Sequence, residues 1–283
     1  MSRIAYVNGQ YLPHREAAVH FEDRGYQFAD GVYEVFAVRG GRLVDHELHY
    51  DRLDYSLREL AIEAPVSRPV LLMIIEEVIR RNRVTEGIAY LQITRGVAPR
   101  DHGFPKTAVP PALIVSARNM QSKEALRRTG VAVICVPDLR WKRRDIKTIS
   151  LLPNIMAKQM AVEAGAYEAL QVDEDGTITE GTATNAWIVT DKGELVTRKT
   201  DRSILSGITR LTAITLARSA QLKLVERPFT VAEAKDACEA FLTSTTSDIM
   251  PIISIDGAEI NGGKPGPITK RLGELYETHA VGA

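Results

Sequence analysis

Residues 180–210 read EGTATNAWIVTDKGELVTRKTDRSILSGITR, and they join short β-rich runs to the start of a helix. The runs Ala186–Val189 and Glu194–Thr197 predict strands, and Gly207 opens a helical pattern that continues to Ala220. Other strand-like and helix-like runs occur along the chain, but they do not alternate in a regular βαβ order. The sequence therefore predicts an α+β protein.

A domain boundary is predicted after Arg118, where the polar stretch NMQSKE interrupts the pattern. We expect a smaller N-terminal α+β domain over residues 1–118, an interdomain linker over 119–122 and a larger C-terminal domain over 123–283 that carries Lys147.

Periodicity and turn signals predict the main elements of both domains. In the first, Asn8-Gly9 favours a tight hairpin turn, and residues 46–60 and 70–81 predict helices. Residues 96–111, which contain four prolines, predict a loop. In the second, residues 150–165 predict a helix whose apolar residues are Leu152, Ile155, Met156 and Met160.

Composition excludes several classes of protein. The 283 residues carry 36 Lys and Arg against 36 Asp and Glu, so the formal net charge is zero. A chain without a positive surplus lacks the field that phosphate backbones require, so we expect no nucleic-acid partner. Cys135 and Cys238 are too few for a disulfide framework or a four-thiolate metal site, and we expect both to be buried free thiols.

No apolar stretch of the sequence is long enough to span a bilayer, and the N-terminal residues lack the apolar core of a signal peptide. These features predict a cytoplasmic protein without a membrane partner. The histidines at positions 14, 20, 46, 49 and 279 have no partners at a metal-binding spacing, so no metal site is expected.

Four segments carry residues that are suited to chemistry. Lys147 precedes a helix, where an amine can be kept out of water, and Glu180 precedes small hydroxyl residues. Ser206 or Gly207 caps a helix and leaves the amides of Ile208 and Thr209 available to an anion. Residues 243–247 place five hydroxyls in a row.

Each segment alone fits a simpler role at least as well: a solvated surface lysine, a turn, a helix cap and a polar loop. Together they supply an amine, a carboxylate and a phosphate cup, which are the groups that pyridoxal 5′-phosphate requires.

Residues 180–210 also resemble the signature of the class IV aminotransferases. The matching residues are Glu180, Thr182, Asn185, Leu195, Thr197, Leu205, Gly207, Ile208 and Arg210. Trp187 stands where that pattern usually has Phe or Tyr. The segments EDRGYQFADGVYEV, HELHYDRL, TRGVAPRDHGFP, DLRWKRRDIKTISLL and TSTTSDIMP are similar to the bacterial D-amino acid aminotransferases of this family, so the resemblance extends over nearly the whole chain.

The resemblance implies a two-lobed fold-type IV pyridoxal phosphate enzyme, the D-amino acid aminotransferase-like fold, with the cofactor in the cleft between the lobes. It implies that Lys147 carries the cofactor as a Schiff base and that Glu180 binds the pyridine nitrogen. Leu205 would pack against the ring face away from the lysine. Arg52 would bind the phosphate, together with Ile208, Thr209 and Thr245.

The resemblance further implies that Tyr33, Arg100 and His102 hold the carboxylate of an amino acid or 2-oxo acid substrate. It also implies a homodimer in which the loop with Arg100 and His102 reaches into the neighbouring subunit's site.

The expected activity is ping-pong transfer of the amino group of a D-amino acid to a 2-oxo acid, either 2-oxoglutarate or pyruvate. A branched-chain L-aminotransferase, an (R)-amine transaminase, aminodeoxychorismate lyase and a non-catalytic binder of the cofactor remain alternatives. The pair Arg100-x-His102 with Tyr33 favours the D-amino acid enzymes.

Overall fold

A computed structural model describes residues 3–282, and the chain separates into two compact units. The first unit ends at Gln121 and also includes Ile146–Ser150, whereas the second consists of Ser122–Asp145 and Leu151–Gly282. The segment with Lys147 thus packs with the first unit, although the sequence had suggested the C-terminal domain. Thr148 pairs with Val32 in a short antiparallel bridge, which explains this packing.

The first unit is built on an antiparallel sheet. Its elements are β1 (Ile4–Val7), β2 (Gln10–Pro13), α1 (Arg24–Phe28), β3 (Gly31–Arg39), β4 (Arg42–Leu43), α2 (His46–Glu59), α3 (Arg68–Asn82), β5 (Gly87–Thr94) and β6 (Ala112–Asn119). The strands follow the order β2-β1-β6-β5-β3-β4. The predicted helices and the loop over residues 96–111 are confirmed to within two residues.

Two-residue turns close the β1–β2 and β3–β4 hairpins. Asn8 and Gly9 have φ angles of 44° and 96°, and Gly40 and Gly41 have φ angles of 55° and 79°. These left-handed conformations match the twist of the flanking strands and favour Asn and Gly. The hairpin predicted at Asn8-Gly9 is confirmed.

Helices α2 and α3 cover the apolar face of this sheet. Leu53 and Leu57 of α2 are buried, as their spacing predicted, and they join the apolar residues of α3 and the sheet in one core. Successive residues of a strand point to opposite faces, so Glu34 of β3 faces this core while Tyr33 faces away from α2. This alternation places Glu34 on the face that α2 covers and Tyr33 on the opposite face of the sheet.

The second unit is built on a mixed sheet of nine strands. Its elements are α4 (Glu124–Thr129), β7 (Val131–Pro137), α5 (Leu152–Glu163), β8 (Glu168–Val172), β9 (Ile178–Gly181), β10 (Asn185–Val189), β11 (Glu194–Thr197), α6 (Ile208–Ser219), β12 (Lys223–Glu226), α7 (Val231–Lys235), β13 (Glu239–Ser244), β14 (Asp248–Ile255), β15 (Ala258–Glu259), a 3₁₀ turn (Asn261–Gly263) and α8 (Pro267–Gly282). The order is β12-β11-β10-β13-β14-β7-β8-β9, with β15 paired to β14. The pairs β11–β12, β14–β7 and β7–β8 are parallel.

Strand β10 lies inside this sheet, and all five of its residues are buried. Trp187 stacks on Phe241 with ring centroids 5.3 Å apart, and its Nε1–H donates to Thr243 Oγ1 at 3.0 Å. The indole therefore fills the core position and has a partner for its polar end. The departure from Phe or Tyr at this position is accommodated.

Helix α5 has an unexpected orientation. It buries Ala157 and Ala161, while Leu152, Ile155, Met156 and Met160 are 49–67% exposed. The small alanines allow the helix to approach β7 and β8 closely, so the large apolar residues point outward. Thus the apolar residues that identified the helix are not its core face within a single chain.

The expectation for the two cysteines needs correction. Cys238 is exposed and Cys135 is half-buried, so neither is the fully buried thiol that its apolar neighbours suggested.

Helices α1, α4 and α7 have only five or six residues, too few for a helical period to be recognised. Between residues 3 and 282, no helix combines the length and the apolar character that a membrane crossing would need.

Candidate active site

Lys147 lies in an irregular segment beside β3. Its N–H donates to Ser56 Oγ at 3.2 Å, and its carbonyl accepts the N–H of Tyr33 at 3.0 Å. These bonds fix the backbone from which the half-buried side chain extends. The Lys147 Nζ lies 4.3 Å from the centroid of the Tyr33 ring, a cation–π distance. Two residues predicted for the site are therefore in contact.

Arg52 is buried on α2 and is held by Glu34. Its Nε and Nη2 donate to the two carboxylate oxygens of Glu34 at 2.8 and 2.7 Å, and His49 Nδ1 lies 2.7 Å from Glu34 Oε2. Such a two-pronged pair fixes the plane of the guanidinium. Burial alone would raise the pKa of Glu34, but the charges of Arg52 and His49 dominate and lower it to about 2. Burial lowers the pKa of His49.

Arg100 and His102 lie on the exposed loop between β5 and β6. The Arg100 guanidinium carbon is 4.6 Å from the Phe28 ring centroid, and the His102 ring centroid is 5.6 Å from it. Among residues 3–282, no hydrogen bond or ring contact joins either side chain to Tyr33 or Lys147.

Arg24 fixes the backbone of this loop from beneath. Its Nη1 and Nη2 donate to the carbonyls of Asp101 and His102 at 2.6 and 3.4 Å, while its Nε donates to Asp30 at 2.8 Å. Arg95 also donates to Asp30, at 2.7 Å. Burial opposes ionisation of Asp30, but the two arginines prevail and lower its pKa.

Glu180 lies in β9, where the sequence had suggested a connecting segment, and its side chain is 6% exposed. Oε2 accepts the side-chain amide of Asn185 at 2.9 Å and the backbone N–H of Leu205 at 3.1 Å. Oε1 accepts a short hydrogen bond from Arg140 Nη1. The carboxylate is thus held by three donors from three separate segments.

Arg140 is itself held by Asp138. Its Nε and Nη2 donate to the two carboxylate oxygens of Asp138 at 3.0 and 2.7 Å, and Thr179 Oγ1 donates to Asp138 Oδ2 at 2.7 Å. Arg144 lies 3.3 Å from Asp138 and also pairs with Asp173.

The charges of this cluster are paired. With every group ionised, the buried Asp138 and Glu180 are balanced by the buried Arg140 and Arg144, while Asp173, which also pairs with Arg144, is 31% exposed. Burial raises the pKa of Glu180, and Arg140 only partly offsets this effect. The cluster would therefore be stabilised by one more positive charge beside Glu180.

The start of helix α6 adjoins the same cluster. The first bond within the helix is from Leu211 N–H to the Gly207 carbonyl at 2.9 Å, so the amides of Ile208 and Thr209 precede the helical hydrogen-bond ladder. A Cβ on Gly207 would lie 2.0 Å from Asn185 Oδ1, so only glycine allows this approach. The Thr209 hydroxyl faces Tyr276, with 3.5 Å between the oxygens.

Thr245 lies in the hydroxyl-rich turn between β13 and β14. Ser244 Oγ and Ser247 Oγ are 2.6 Å apart, which closes the turn. In the sheet register Thr243 lies opposite Asn185, the residue that contacts Glu180 and Leu205. Glu180, the α6 N-terminus and the hydroxyl turn are thus arranged around Asn185.

In the first unit the structure brings Lys147 and Tyr33 together but leaves Arg100 and His102 on their loop, and in the second it places Glu180 and Leu205 around Asn185. It also adds partners that the sequence did not reveal. Those partners are Glu34, His49, Asp138 and Arg140. In the sequence, no pattern distinguishes them from the chain's many other acidic and basic residues. In residues 3–282, no cluster of three or more His, Cys, Asp or Glu side chains is placed to hold a metal ion.

Solved structures define the class of fold. A branched-chain amino acid aminotransferase from T.th., solved with pyridoxamine 5′-phosphate, has a TM-score of 0.90 and 26% identity, with 100% of this chain and 95% of that chain covered. The Escherichia coli branched-chain amino acid aminotransferase has a TM-score of 0.91 and 24% identity over 100% and 96% of the two chains, which shows a common fold. The fold is that of fold-type IV aminotransferases.

The chain belongs to the amino-transferase class IV family, whose model matches residues 31–255. It is 37% identical over 274 residues to the D-alanine aminotransferase of Staphylococcus aureus (strain N315), covering 97% of this chain and 96% of that protein. It is 40% identical over 265 residues to the D-alanine aminotransferase of Bacillus licheniformis, covering 94% and 93%. The family resemblance seen in the sequence is confirmed.

Proposed function

We propose that this chain is a pyridoxal 5′-phosphate-dependent D-amino acid transaminase that passes the amino group to 2-oxoglutarate or pyruvate in two half-reactions. The observation that carries the proposal is the 37% and 40% identity to proteins named D-alanine aminotransferase, over nearly the full length of each. The pyridoxamine 5′-phosphate in a structural relative supports the choice of cofactor.

The buried acid of the second unit fits the ring of this cofactor. Burial raises the pKa of Glu180, and a protonated pyridine nitrogen beside it would bring a positive charge that stabilises the carboxylate. Asn185 and Leu205 hold the carboxylate in one orientation. We propose that Glu180 binds the ring nitrogen and that Leu205 packs on the ring.

The α6 N-terminus and the hydroxyl turn fit the phosphate. The amides of Ile208 and Thr209 lie at the positive end of the helix dipole, and the glycine before them leaves no side chain in the way. We propose that these amides, Thr245 and Arg52 bind the phosphate. Because Arg52 is paired with Glu34, its contribution is mainly directional hydrogen bonding rather than an uncompensated charge.

When bound, the cofactor supplies an electron sink for the carbanion that forms at the substrate Cα. Glu180 stabilises the proton on the ring nitrogen on which that property depends. Lys147 would be the amine that holds the cofactor, and its amino group could hold or move the proton at the substrate Cα. Its backbone bonds to Ser56 and Tyr33 limit the positions that this amine can reach.

Arg100, His102 and Tyr33 are proposed to hold the substrate carboxylate. Arg100 offers a planar, permanently charged fork, while His102 and Tyr33 can add hydrogen bonds. A carboxylate fixed on one side of Cα decides which enantiomer directs its Cα–H to Lys147. In one chain Arg100 and His102 contact Phe28 on an exposed loop, which fits a role in a neighbouring subunit.

The homodimer is supported by helix α5. Four large apolar side chains on this helix are 49–67% exposed, namely Leu152, Ile155, Met156 and Met160. Such a stripe on one side of a helix marks an interaction surface. We propose that a second copy of the chain covers it.

A half-reaction screen tests the function. The purified protein, incubated with pyridoxal 5′-phosphate, is mixed separately with D-alanine, D-glutamate, L-leucine and (R)-1-phenylethylamine, and the visible absorption band of the bound cofactor is followed. We expect rapid loss of the band with the two D-amino acids and slow loss with L-leucine. Lys147→Ala serves as the control without turnover.

Each alternative has its own outcome in this screen. Activity with L-leucine equal to or above that with D-alanine would reassign the chain to the branched-chain aminotransferases, which the solved relatives bring into consideration. Preference for (R)-1-phenylethylamine would indicate an amine transaminase. A coloured protein that is inert to every donor would indicate a binder, and a colourless one would exclude the cofactor site.

A further inference from the structure

Arg140 contacts the proposed ring-binding acid directly, yet no part of the proposed function above uses it. Its Nη1 donates to Glu180 Oε1, and its Nε and Nη2 are occupied by Asp138 at 3.0 and 2.7 Å. The side chains of Arg140 and Asp138 are 8% and 0% exposed. Because Asp138 holds the guanidinium through two hydrogen bonds, Arg140 presents one N–H in a fixed direction to the Glu180 carboxylate.

We propose that Arg140 is the positioning residue that keeps the proton on the cofactor's ring nitrogen instead of on Glu180, an inference that rests on the proposed function. One proton is shared between a carboxylate and a pyridine nitrogen in contact. When the surroundings favour a charged pair, the proton lies on the pyridine nitrogen and the carboxylate is ionised. When they favour a neutral pair, the proton lies on the carboxylate.

The surroundings of Glu180 decide between these two forms. Burial of the carboxylate favours the neutral pair, and so does the negative charge of Asp138. Arg140 opposes both effects, because its positive charge lies against the carboxylate. The hydrogen bonds from Asn185 and Leu205 act in the same direction as Arg140.

Asp138 has a separate part in this arrangement. It orients Arg140 through two hydrogen bonds and is itself tied to Thr179 and to Arg144. Arg144 pairs with Asp173 as well, so its charge is shared. Asp138 therefore fixes the position of Arg140, and Arg140 in turn stabilises the ionised form of Glu180.

The test measures the proton itself. Apo-protein is reconstituted with pyridoxal 5′-phosphate labelled with ¹⁵N in the ring, and the nitrogen chemical shift is recorded at a pH above the ordinary range of a glutamic acid. The wild type should show a protonated nitrogen. Arg140→Gln should move the shift towards the neutral ring, and Arg140→Lys should restore most of the protonated form because it returns the charge.

Arg140→Gln leaves Asp138 buried with one partner fewer, so Asp138→Asn/Arg140→Gln provides a second variant in which both charges are removed. The matched control is Arg227→Gln, which removes another two-pronged arginine pair of the same unit, with Glu233, away from the cluster. Because the Arg227–Glu233 pair is about one-third exposed, this control should lower the thermal unfolding temperature less than the double variant does and should keep the wild-type ¹⁵N shift.

Kinetics provide an independent readout. We expect kcat with D-alanine to fall about ten-fold or more in Arg140→Gln and less in the double variant, where loss of the Asp138 charge partly compensates. KM should change by less than about two-fold in both, because proton abstraction depends on the ring charge and substrate binding does not. A wild-type ¹⁵N shift in Arg140→Gln would overturn the role of Arg140 and leave the transaminase intact. A wild type that binds no labelled cofactor would overturn both.

Discussion

Lys147 is the residue on which the proposed chemistry depends, and its surroundings allow a clean test. Its side chain contacts Tyr33, while its fixed position comes from backbone bonds that substitution preserves. Lys147→Ala should therefore abolish transamination while changing the free energy of unfolding by no more than about 1 kcal/mol. Activity assays and chemical denaturation measure the two effects.

The attachment point can be identified by borohydride reduction and mass spectrometry. The label should be found on Lys147 in the wild type and be lost in the variant. Lys142 and Lys158 are the nearby controls; Lys158 donates to the Tyr167 carbonyl. A label on either of them would refute the assignment of Lys147.

The buried group of Glu34, Arg52 and His49 couples stability to pH. The pKa of Glu34 is lowered from 4.5 to about 2, so its ion pair contributes fully above pH 4.5 and is lost as the pH falls towards 2. This shift corresponds to on the order of 3 kcal/mol. The lowered pKa of His49 acts in the same direction, since stability starts to fall as the pH drops below the ordinary value of 6.5.

Denaturation of the apo-protein across this pH range checks the prediction. Arg52→Ala should destabilise the fold by about 3–5 kcal/mol, because it leaves Glu34 buried without its main partner. Glu34→Gln/Arg52→Ala should recover much of that loss, yet still bind the cofactor more weakly than the wild type. If the double variant retains the cofactor normally, Arg52 is not a phosphate ligand.

The sequence predicts site residues from family motifs, but it does not predict the residues that hold them. Lys147, Glu180 and Arg52 match family motifs, whereas their partners Glu34 and Arg140 are separated from Arg52 and Glu180 by 18 and 40 positions. Folding alone brings these pairs together, and any of the chain's 36 acids could have partnered each arginine.

Among the helices and strands, the sequence predicted an element correctly where the residues of that element alone determine its conformation or its buried face. Asn8-Gly9 fixed a hairpin because its φ angles require it, and the leucines of α2 marked a buried face. The apolar residues of α5 are exposed because alanines form its contact with the sheet. Periodicity alone does not tell a core face from a face that another subunit covers.

The loop between β5 and β6 is an element whose position depends on Arg24. That side chain donates to the carbonyls of Asp101 and His102, the residues that follow Arg100. Arg24→Ala should release the loop and raise KM for D-alanine by about ten-fold, since two hydrogen bonds from a charged donor are lost. The reaction with (R)-1-phenylethylamine, which lacks a carboxylate, should change much less.

Arg15→Ala is the control for this prediction, because the Arg15 side chain is 82% exposed and pairs only weakly with its neighbour Glu16. Steady-state kinetics with both donors separate the two possibilities. An equal loss with both donors in Arg24→Ala would indicate general destabilisation and not a loop that orients Arg100.

At the scale of the whole molecule, the exposed stripe of α5 predicts assembly. Met156→Glu places a charge in the middle of the proposed interface, where desolvation without a partner is unfavourable. We expect sedimentation to show a dimer for the wild type and a shift towards monomer for this variant. The Thr215→Glu change, at an exposed position of helix α6 outside this stripe, should leave the dimer intact.

Subunit complementation decides whether the dimer shares its sites. Lys147→Ala lacks the amine, and Arg100→Ala lacks the carboxylate fork. If Arg100 acts in the neighbouring subunit's site, a mixed dimer of these chains contains one site with both residues intact. Random pairing makes about half of the dimers mixed, each with one intact site of two, so activity with D-alanine should recover to about a quarter of the wild type. If Arg100 serves the site of its own chain, every site lacks one residue and mixing restores nothing. The exposed position of Arg100 beside Phe28, out of contact with Lys147 in one chain, favours recovery.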